Sequence, residues 1–129
     1  MSIRKLLARS ASSMSTWGLR HIARRPAANM PGKIALKLDP QIIAESMGKV
    51  TEGSIVVVGT NGKTTITNMI ADALERQGKT VACNRTGANL AYGVATTLLQ
   101  TKGSVEWGVF ESDELWLAHT LPQVQASYV

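Results

Sequence analysis

The clearest chemical pattern in this sequence is a run of seven residues: Gly59, Thr60, Asn61, Gly62, Lys63, Thr64 and Thr65. Glycines allow main-chain N–H groups to approach an anion closely, and N–H groups at the start of a helix attract phosphate. In loops of this kind the lysine reaches the β- and γ-phosphates of a nucleotide, and the first hydroxyl binds Mg²⁺. The run therefore predicts a site for the phosphates of ATP, with Lys63 as the catalytic residue and Thr64 as a magnesium ligand. The alternative is an ordinary strand-to-helix turn with a surface lysine.

The segments on either side of this run are those that a phosphate-binding loop requires. Ile55–Val58 is a short apolar run of mostly β-branched residues, which is typical of a parallel strand buried on both faces. Residues 64–76 carry apolar side chains at helical spacing, so we expect a helix that begins at the loop. We expect its buried face to consist of Ile66, Met69, Ile70, Ala73 and Leu74.

An acidic cluster, residues 111–114, follows a third predicted strand, Val105–Phe110. Parallel strands end at one edge of their sheet, and ligands bind at that edge in open α/β folds. Because Mg²⁺ on a nucleotide takes one or two protein oxygen ligands, the cluster is a candidate metal site. Asp113 also has the position of a helix N-cap, which makes it and Glu114 weaker candidates. The alternative is a solvated acidic turn.

A second predicted strand, residues 80–84, ends in a polar turn at the same edge, residues 84–89. Asn84 and Asn89 in this turn either line the cleft for ATP or its acceptor, or serve turn chemistry alone. Cys83 is interpreted as a small buried strand residue, because no histidine lies nearby to activate it as a nucleophile.

The remaining pattern predicts helices that alternate with these strands. Residues 42–48 form one helix, which Asp39-Pro40 begins, and Leu90–Gln100 forms another. A further helix is expected to end at Leu121-Pro122, and Ser127–Val129 opens a fourth strand. This order of elements predicts an α/β fold with a mostly parallel sheet and flanking helices.

Charge divides the chain in two. Eight of the 14 Lys and Arg residues precede the first acidic residue, Asp39, whereas the chain from Asp39 onward contains six basic and nine acidic residues. We therefore predict a basic amphipathic helical arm with a lead-in helix over residues 1–50, and the first part of a nucleotide domain over residues 51–129. The apolar residues of the arm that share one helical face are Ile3, Leu6, Leu7, Met14 and Trp17. The arm is typical of a transit peptide, of a helix on an anionic membrane surface, or of a solvated helix packed on its own domain.

Composition narrows the class of protein further. The hydrophobic content of 44% is that of a globular chain, and no apolar run approaches the length of a membrane span. A single cysteine excludes an internal disulfide and a multi-cysteine zinc site in this chain, and indicates a reducing, cytoplasmic location. Despite the net charge of +5, no aromatic platform or recognised motif supports a nucleic-acid partner.

The loop departs from the general pattern G-x-x-x-x-G-K-[ST], because Val57 stands where that pattern has its first glycine. The shorter form G-T-N-G-K-T-T resembles the Mur ligase family, whose members are ATP-dependent amide-bond-forming ligases, mostly of bacterial cell-wall synthesis. The resemblance implies the central ATP-binding domain of that family. It also implies that Glu111, which matches a glutamate in an E-x-D-E-like pattern, binds Mg²⁺ together with Thr64.

Two segments, residues 31–40 and 84–90, resemble one branch of the family, the large subunits of lipid II isoglutaminyl synthases. This implies that ATP phosphorylates the D-glutamate α-carboxylate of lipid II and that a glutaminase subunit supplies ammonia. The enzyme would lie in the cytoplasm, and the basic arm offers a contact with the inner face of the membrane. The family's adenine contacts and C-terminal domain have no counterpart before Val129, so we expect a fragment of a longer protein.

Two alternatives come from related loops. Folylpolyglutamate-type ligases share the fold but typically end the loop in G-K-G-S, where this chain has Gly62-Lys63-Thr64-Thr65. Positioning ATPases with a membrane-associated helix use G-K-T-T, but they usually carry a signature lysine where this chain has Val58.

Overall fold

The computed structural model describes residues 29–85 and 91–129, together with Ile3, Leu7, Arg9 and Ser10 near the N-terminus. Those four residues are helical. The predictions for the rest of residues 1–28, and for Asn89, lie outside the described residues.

From residue 42 onward, helices and strands alternate along the chain, as the sequence predicts. They are α1 Met30–Leu38, α2 Ile42–Ser46, β1 Val50–Val57, α3 Lys63–Arg76, β2 Val81–Cys83, α4 Ala91–Gln100, β3 Val105–Glu111 and α5 Leu117–Val124. Short 3₁₀ turns, Met47–Lys49 and Glu114–Trp116, precede β1 and α5. The three strands form a parallel sheet in the order β1-β3-β2. This confirms the predicted α/β class with a parallel sheet and flanking helices.

The helices cover both faces of the sheet. The main core cluster joins Val56, Ala82 and Phe110 of the strands to buried residues of α1, α2, α4 and α5. Helix α3 contributes nothing to this cluster and packs on the three strands. The chain crosses the sheet in one direction from β1 to β2 and in the opposite direction from β2 to β3. Because crossovers between parallel strands are right-handed, α3 and α4 therefore lie on opposite faces of the sheet.

The strand register brings the carboxyl ends of β1 and β3 together. Val57 lies opposite Glu111, and Cys83 of β2 lies opposite Val109. A fourth strand begins on the free side of β1, where Tyr128 forms a parallel bridge with Ile55. The Val56 N–H donates to the Tyr128 carbonyl at 2.9 Å, so the predicted opening of a fourth strand at residues 127–129 is confirmed.

The predicted buried face of α3 is only partly correct, because Ile70 and Leu74 are half-buried but the fully buried residues are different. Thr67 and Ala71 are buried, whereas Ile66 is 49% exposed and Met69 is 64% exposed. The reason is geometric, because Thr64 contacts β3 at the start of the helix and its helical neighbours at i+3 and i+7 are Thr67 and Ala71.

Two prolines lie within helices, and at one of them the predicted helix end is wrong. Pro31 lies in the first turn of α1, where its missing N–H costs nothing, so it begins a helix rather than interrupting one. Gly32 of the same turn packs against α4, and its N–H donates to Thr96 Oγ1 at 2.8 Å. Pro122 lies inside α5, which continues to Val124 and ends at Gln125 with a positive φ of 47°. The helix therefore extends past its predicted end at Leu121-Pro122.

Candidate functional site

The loop between β1 and α3 supplies the backbone geometry of the candidate site. Gly59 has a φ of 144° and Gly62 a φ of 79°, values that L side chains rarely adopt. A Cβ on Gly62 would meet no atom within 4 Å, so the need for glycine there is conformational rather than steric. Thr60, Asn61 and Gly62 are exposed, which leaves this loop open to a ligand.

Helix α3 begins directly at this loop and directs its first N–H groups toward it. Its N-cap is Gly62, which offers no side-chain hydrogen bond to these groups, and its first turn contains no acidic residue. The Nζ of Lys63 donates to the Gly59 carbonyl at 2.6 Å, across the loop. A positive charge and a helix N-terminus therefore face the same space, which favours an anion.

Glu111, at the end of β3, faces the first turn of α3. Its Oε2 accepts a hydrogen bond of 2.8 Å from Thr64 Oγ1. Glu111 is only 3% exposed, and it forms no ion pair with a lysine, arginine or histidine of the described residues. A buried carboxylate is costly unless a positive charge compensates it. Together with the Thr64 hydroxyl it is an oxygen pair of the kind that suits Mg²⁺.

Asn84 follows β2 and is also buried, with 3% exposure. Its Nδ2 donates to the Glu111 carbonyl at 3.0 Å, and the Glu111 N–H donates to its Oδ1 at 2.8 Å. The structure thus brings Asn84 to the site, but its amide group is bonded to the backbone of Glu111. No signal in the sequence identifies this partner, because it belongs to a different strand.

Other residues around Glu111 were not predicted from the sequence. Ser112 is fully buried, and its N–H donates to the Val57 carbonyl at 3.0 Å, which ties the ends of β3 and β1 together. Arg85 forms ion pairs of 2.7 Å with Asp72 and 2.9 Å with Glu75, and so holds the chain after β2 to α3.

The remaining candidates of the acidic cluster lie elsewhere. Asp113 Oδ1 accepts from the Leu115 N–H at 2.9 Å, so its predicted role as a helix cap is confirmed. Glu114 is exposed. Within residues 29–85 and 91–129, no group of three or more His, Cys, Asp or Glu side chains is placed to hold a metal ion.

Cys83 has the character of a structural thiol. It is half-buried in β2, and burial raises its pKa to about 11. A thiol that stays protonated at neutral pH is a poor nucleophile, which agrees with its interpretation as a strand residue.

A search for membrane spans within the described part of the chain finds no helix with the length and apolar character needed to cross a bilayer.

The sequence of this chain is similar to a known protein family and to characterised members of it. The model of the Mur ligase middle domain matches residues 57–124. The chain is 35% identical, over 98% of its length, to the lipid II isoglutaminyl synthase (glutamine-hydrolyzing) subunit MurT of Streptococcus pneumoniae. It is 31% identical, over 88% of its length, to the subunit of the same name from Staphylococcus aureus strain COL. In both cases the chain spans 28% of the relative's length.

Proposed function

Because this chain belongs to the Mur ligase family, we propose that it forms the phosphate- and magnesium-binding part of the ATP site in an amide-bond-forming ligase. The observation that carries the proposal is the 2.8 Å contact between Thr64 Oγ1 and Glu111 Oε2, which joins two residues 47 positions apart. The contact lies beside a glycine loop and the N-terminus of a 14-residue helix, which together suit a phosphate and its metal.

In this proposal the main chain of the loop and the side chains of Lys63, Thr64 and Glu111 have different roles. The N–H groups of residues 59–65 bind phosphate oxygens, and Lys63 exchanges the Gly59 carbonyl for the β- and γ-phosphates. Its charge then stabilises the negative charge that develops as the γ-phosphoryl group leaves ADP. Thr64 and Glu111 hold Mg²⁺, which neutralises charge on the phosphate oxygens when bound.

The names of the relatives support a specific acceptor. They describe a glutamine-hydrolysing synthase that forms isoglutaminyl lipid II. We propose that the complete enzyme transfers the γ-phosphoryl group of ATP to the α-carboxylate of D-glutamate in lipid II, releasing ADP. Ammonia from a glutaminase subunit then attacks the acyl carbon and the bond to the phosphate oxygen breaks. The departing phosphate takes up the proton that the nitrogen loses, which leaves the D-isoglutamine amide.

The family membership bears on the alternatives. It favours a ligase over a positioning ATPase, and the relatives' names favour lipid II over a folate acceptor. The division at residues 50 and 51, the membrane contact of the basic arm and the cytoplasmic location all remain proposals.

The test is the substitution Lys63→Ala in the complete enzyme, reconstituted with its glutaminase subunit. We expect amidation of lipid II, followed by mass spectrometry of the stem peptide, to fall at least about 10²–10³-fold, the usual cost of removing a group that stabilises transition-state charge.

The matched control is Lys102→Ala, which removes an exposed lysine from the loop between α4 and β3, at the opposite edge of the sheet. This variant should retain activity. Turnover that survives in Lys63→Ala would show that the phosphate site lies elsewhere.

A further inference from the structure

We propose that Asn84 is a positioning residue that holds Glu111 in place for the metal, and that it does not contact ATP itself. The inference rests on the proposed function, because it assigns a role toward the Mg²⁺ that Thr64 and Glu111 are proposed to hold.

Strand β2 ends two residues before β3 does. Cys83 is the last residue of β2 and lies opposite Val109, whereas β3 continues for two more residues to Glu111. The peptide groups of Glu111 thus extend beyond the backbone of β2. An unpaired backbone N–H or carbonyl in a buried position is costly.

The side chain of Asn84 takes the place of the missing strand. Its amide group has the same donor and acceptor as a peptide, and it bonds to both the N–H and the carbonyl of Glu111, at 2.8 Å and 3.0 Å. This arrangement allows the chain to turn away after β2 while the end of β3 stays fixed.

The fixed backbone at Glu111 carries the carboxylate that contacts α3. The Glu111 carboxylate reaches Thr64 at 2.8 Å, so the three residues form one connected set from β2 through β3 to α3. Because both polar ends of the Asn84 amide are engaged with Glu111 and the residue is 3% exposed, it is poorly placed to bind a nucleotide. Residues that orient metal ligands typically change metal affinity 10- to 100-fold when they are replaced.

The test measures metal binding separately from nucleotide binding in the complete enzyme. Mn²⁺ is the probe, because its free concentration can be followed by EPR; the titration contains ATP, and the Mn²⁺ that ATP binds without enzyme is subtracted. For Asn84→Ala we expect the Kd of Mn²⁺ to rise about 10- to 100-fold, while the Kd of ATP measured by calorimetry in EDTA changes less than about 3-fold. The same variant should accelerate hydrogen exchange at the Glu111 amide.

Two further variants separate positioning from a general loss of stability. Asn84→Ser keeps a donor and an acceptor on a shorter side chain, which bonds to the Glu111 backbone less well than the amide does, so we expect it to fold and to show a smaller loss of Mn²⁺ affinity. Thr120→Val removes the hydrogen bond that a buried residue of α5 donates to the Trp116 carbonyl in the preceding 3₁₀ turn. It should lower the melting temperature and leave the Kd of Mn²⁺ unchanged.

The outcomes distinguish this inference from the proposed function. Failure of the unmodified enzyme to bind Mn²⁺ and ATP would overturn both. Normal binding by that enzyme with unchanged Mn²⁺ affinity in the Asn84 variants would overturn the positioning role alone. A loss of ATP affinity in EDTA as large as the loss of Mn²⁺ affinity would show instead that Asn84 contacts the nucleotide.

Discussion

At the scale of single residues, the site contains two side chains of opposite charge, Lys63 and Glu111, and each is bonded to a neutral group. Lys63 is bonded to the Gly59 carbonyl, and Glu111 is bonded to Thr64 on the next residue of the same helix. Each charge therefore has a neutral partner in this structure. Phosphate and Mg²⁺ would supply charged partners to both, which is why the proposed site favours the two ligands together.

The contact between Thr64 and Glu111 predicts coupled effects in the complete enzyme. Thr64→Val and Glu111→Gln should each weaken Mn²⁺ binding, and the double variant should lose less than the sum of the two, because both residues serve one ion. Mn²⁺ titration by EPR of the four proteins measures this coupling. Thr51→Val, which removes an exposed hydroxyl at the start of β1, is the control without effect. Additive losses would contradict a shared ion.

The raised pKa of Cys83 predicts slow alkylation. With the pKa at about 11 instead of the ordinary 9.0, the thiolate fraction at pH 8 is about 100-fold lower than for a free thiol. Iodoacetamide should therefore modify the Cys83 peptide much more slowly in the native protein than in urea, as measured by mass spectrometry.

The same shift has a consequence for stability. Between pH 9.0 and about 11 the unfolded chain has lost the Cys83 proton while the native state keeps it, so stability falls as pH rises through this range. Cys83→Ser should remove this contribution to the pH dependence of the melting temperature. An equal slope in both proteins would contradict the assigned cause.

At the scale of elements, α3 and α4 differ in how much of their surface is buried. Helix α3 packs small residues, Thr67 and Ala71, against the sheet and leaves Ile66 and Met69 outside. Helix α4 buries most of its length between the sheet and α1. Its contact with α1 is close enough to require Gly32, since a Cβ there would collide with the Tyr92 carbonyl and Thr96.

This contact predicts that Gly32→Ala loosens α1. Overpacking of this kind typically costs about 1–3 kcal/mol of the free energy of unfolding, so the complete enzyme should melt at a lower temperature and exchange the amide protons of α1 faster. Gly48→Ala is the matched control, because a Cβ at Gly48 meets nothing within 4 Å; it should change stability by less than about 0.5 kcal/mol. Equal effects of the two changes would show that the α1–α4 contact is not tight.

At the scale of the whole molecule, the exposed apolar side chains include one pair on α3 and another pair after α5. Ile66 and Met69 form a stripe on α3, and Tyr128 and Val129 are 63% and 68% exposed beside β1. Exposed apolar side chains and unpaired strand edges favour association between chains.

We therefore predict that the 129-residue chain expressed alone is poorly soluble and associates. Ile66→Lys combined with Met69→Lys should raise its soluble fraction, measured by light scattering after size exclusion. Gln77→Lys combined with Gln100→Lys adds the same charge at two exposed polar positions and should raise it less. A monomeric chain with a cooperative thermal transition would contradict this prediction.

Much of the architecture could be predicted because it depends on local pattern. Apolar runs, glycines and helical spacing identified the three strands, the loop and the helix that follows it, and parallel pairing then brought Glu111 to the edge where the loop lies. The Asp113 cap was also predictable, since its partner is only two residues away.

What the sequence by itself determined was therefore the order of elements, the fold class and the residues of the glycine loop. Only the tertiary structure decided which face of α3 is buried, that Pro31 begins a helix against α4, and that Asn84 bonds to Glu111. The physical reason is the distance along the chain over which each interaction acts. Backbone preference and periodicity act between near neighbours in the chain, whereas the partner of a buried face or a buried amide is chosen by whichever distant element packs against it.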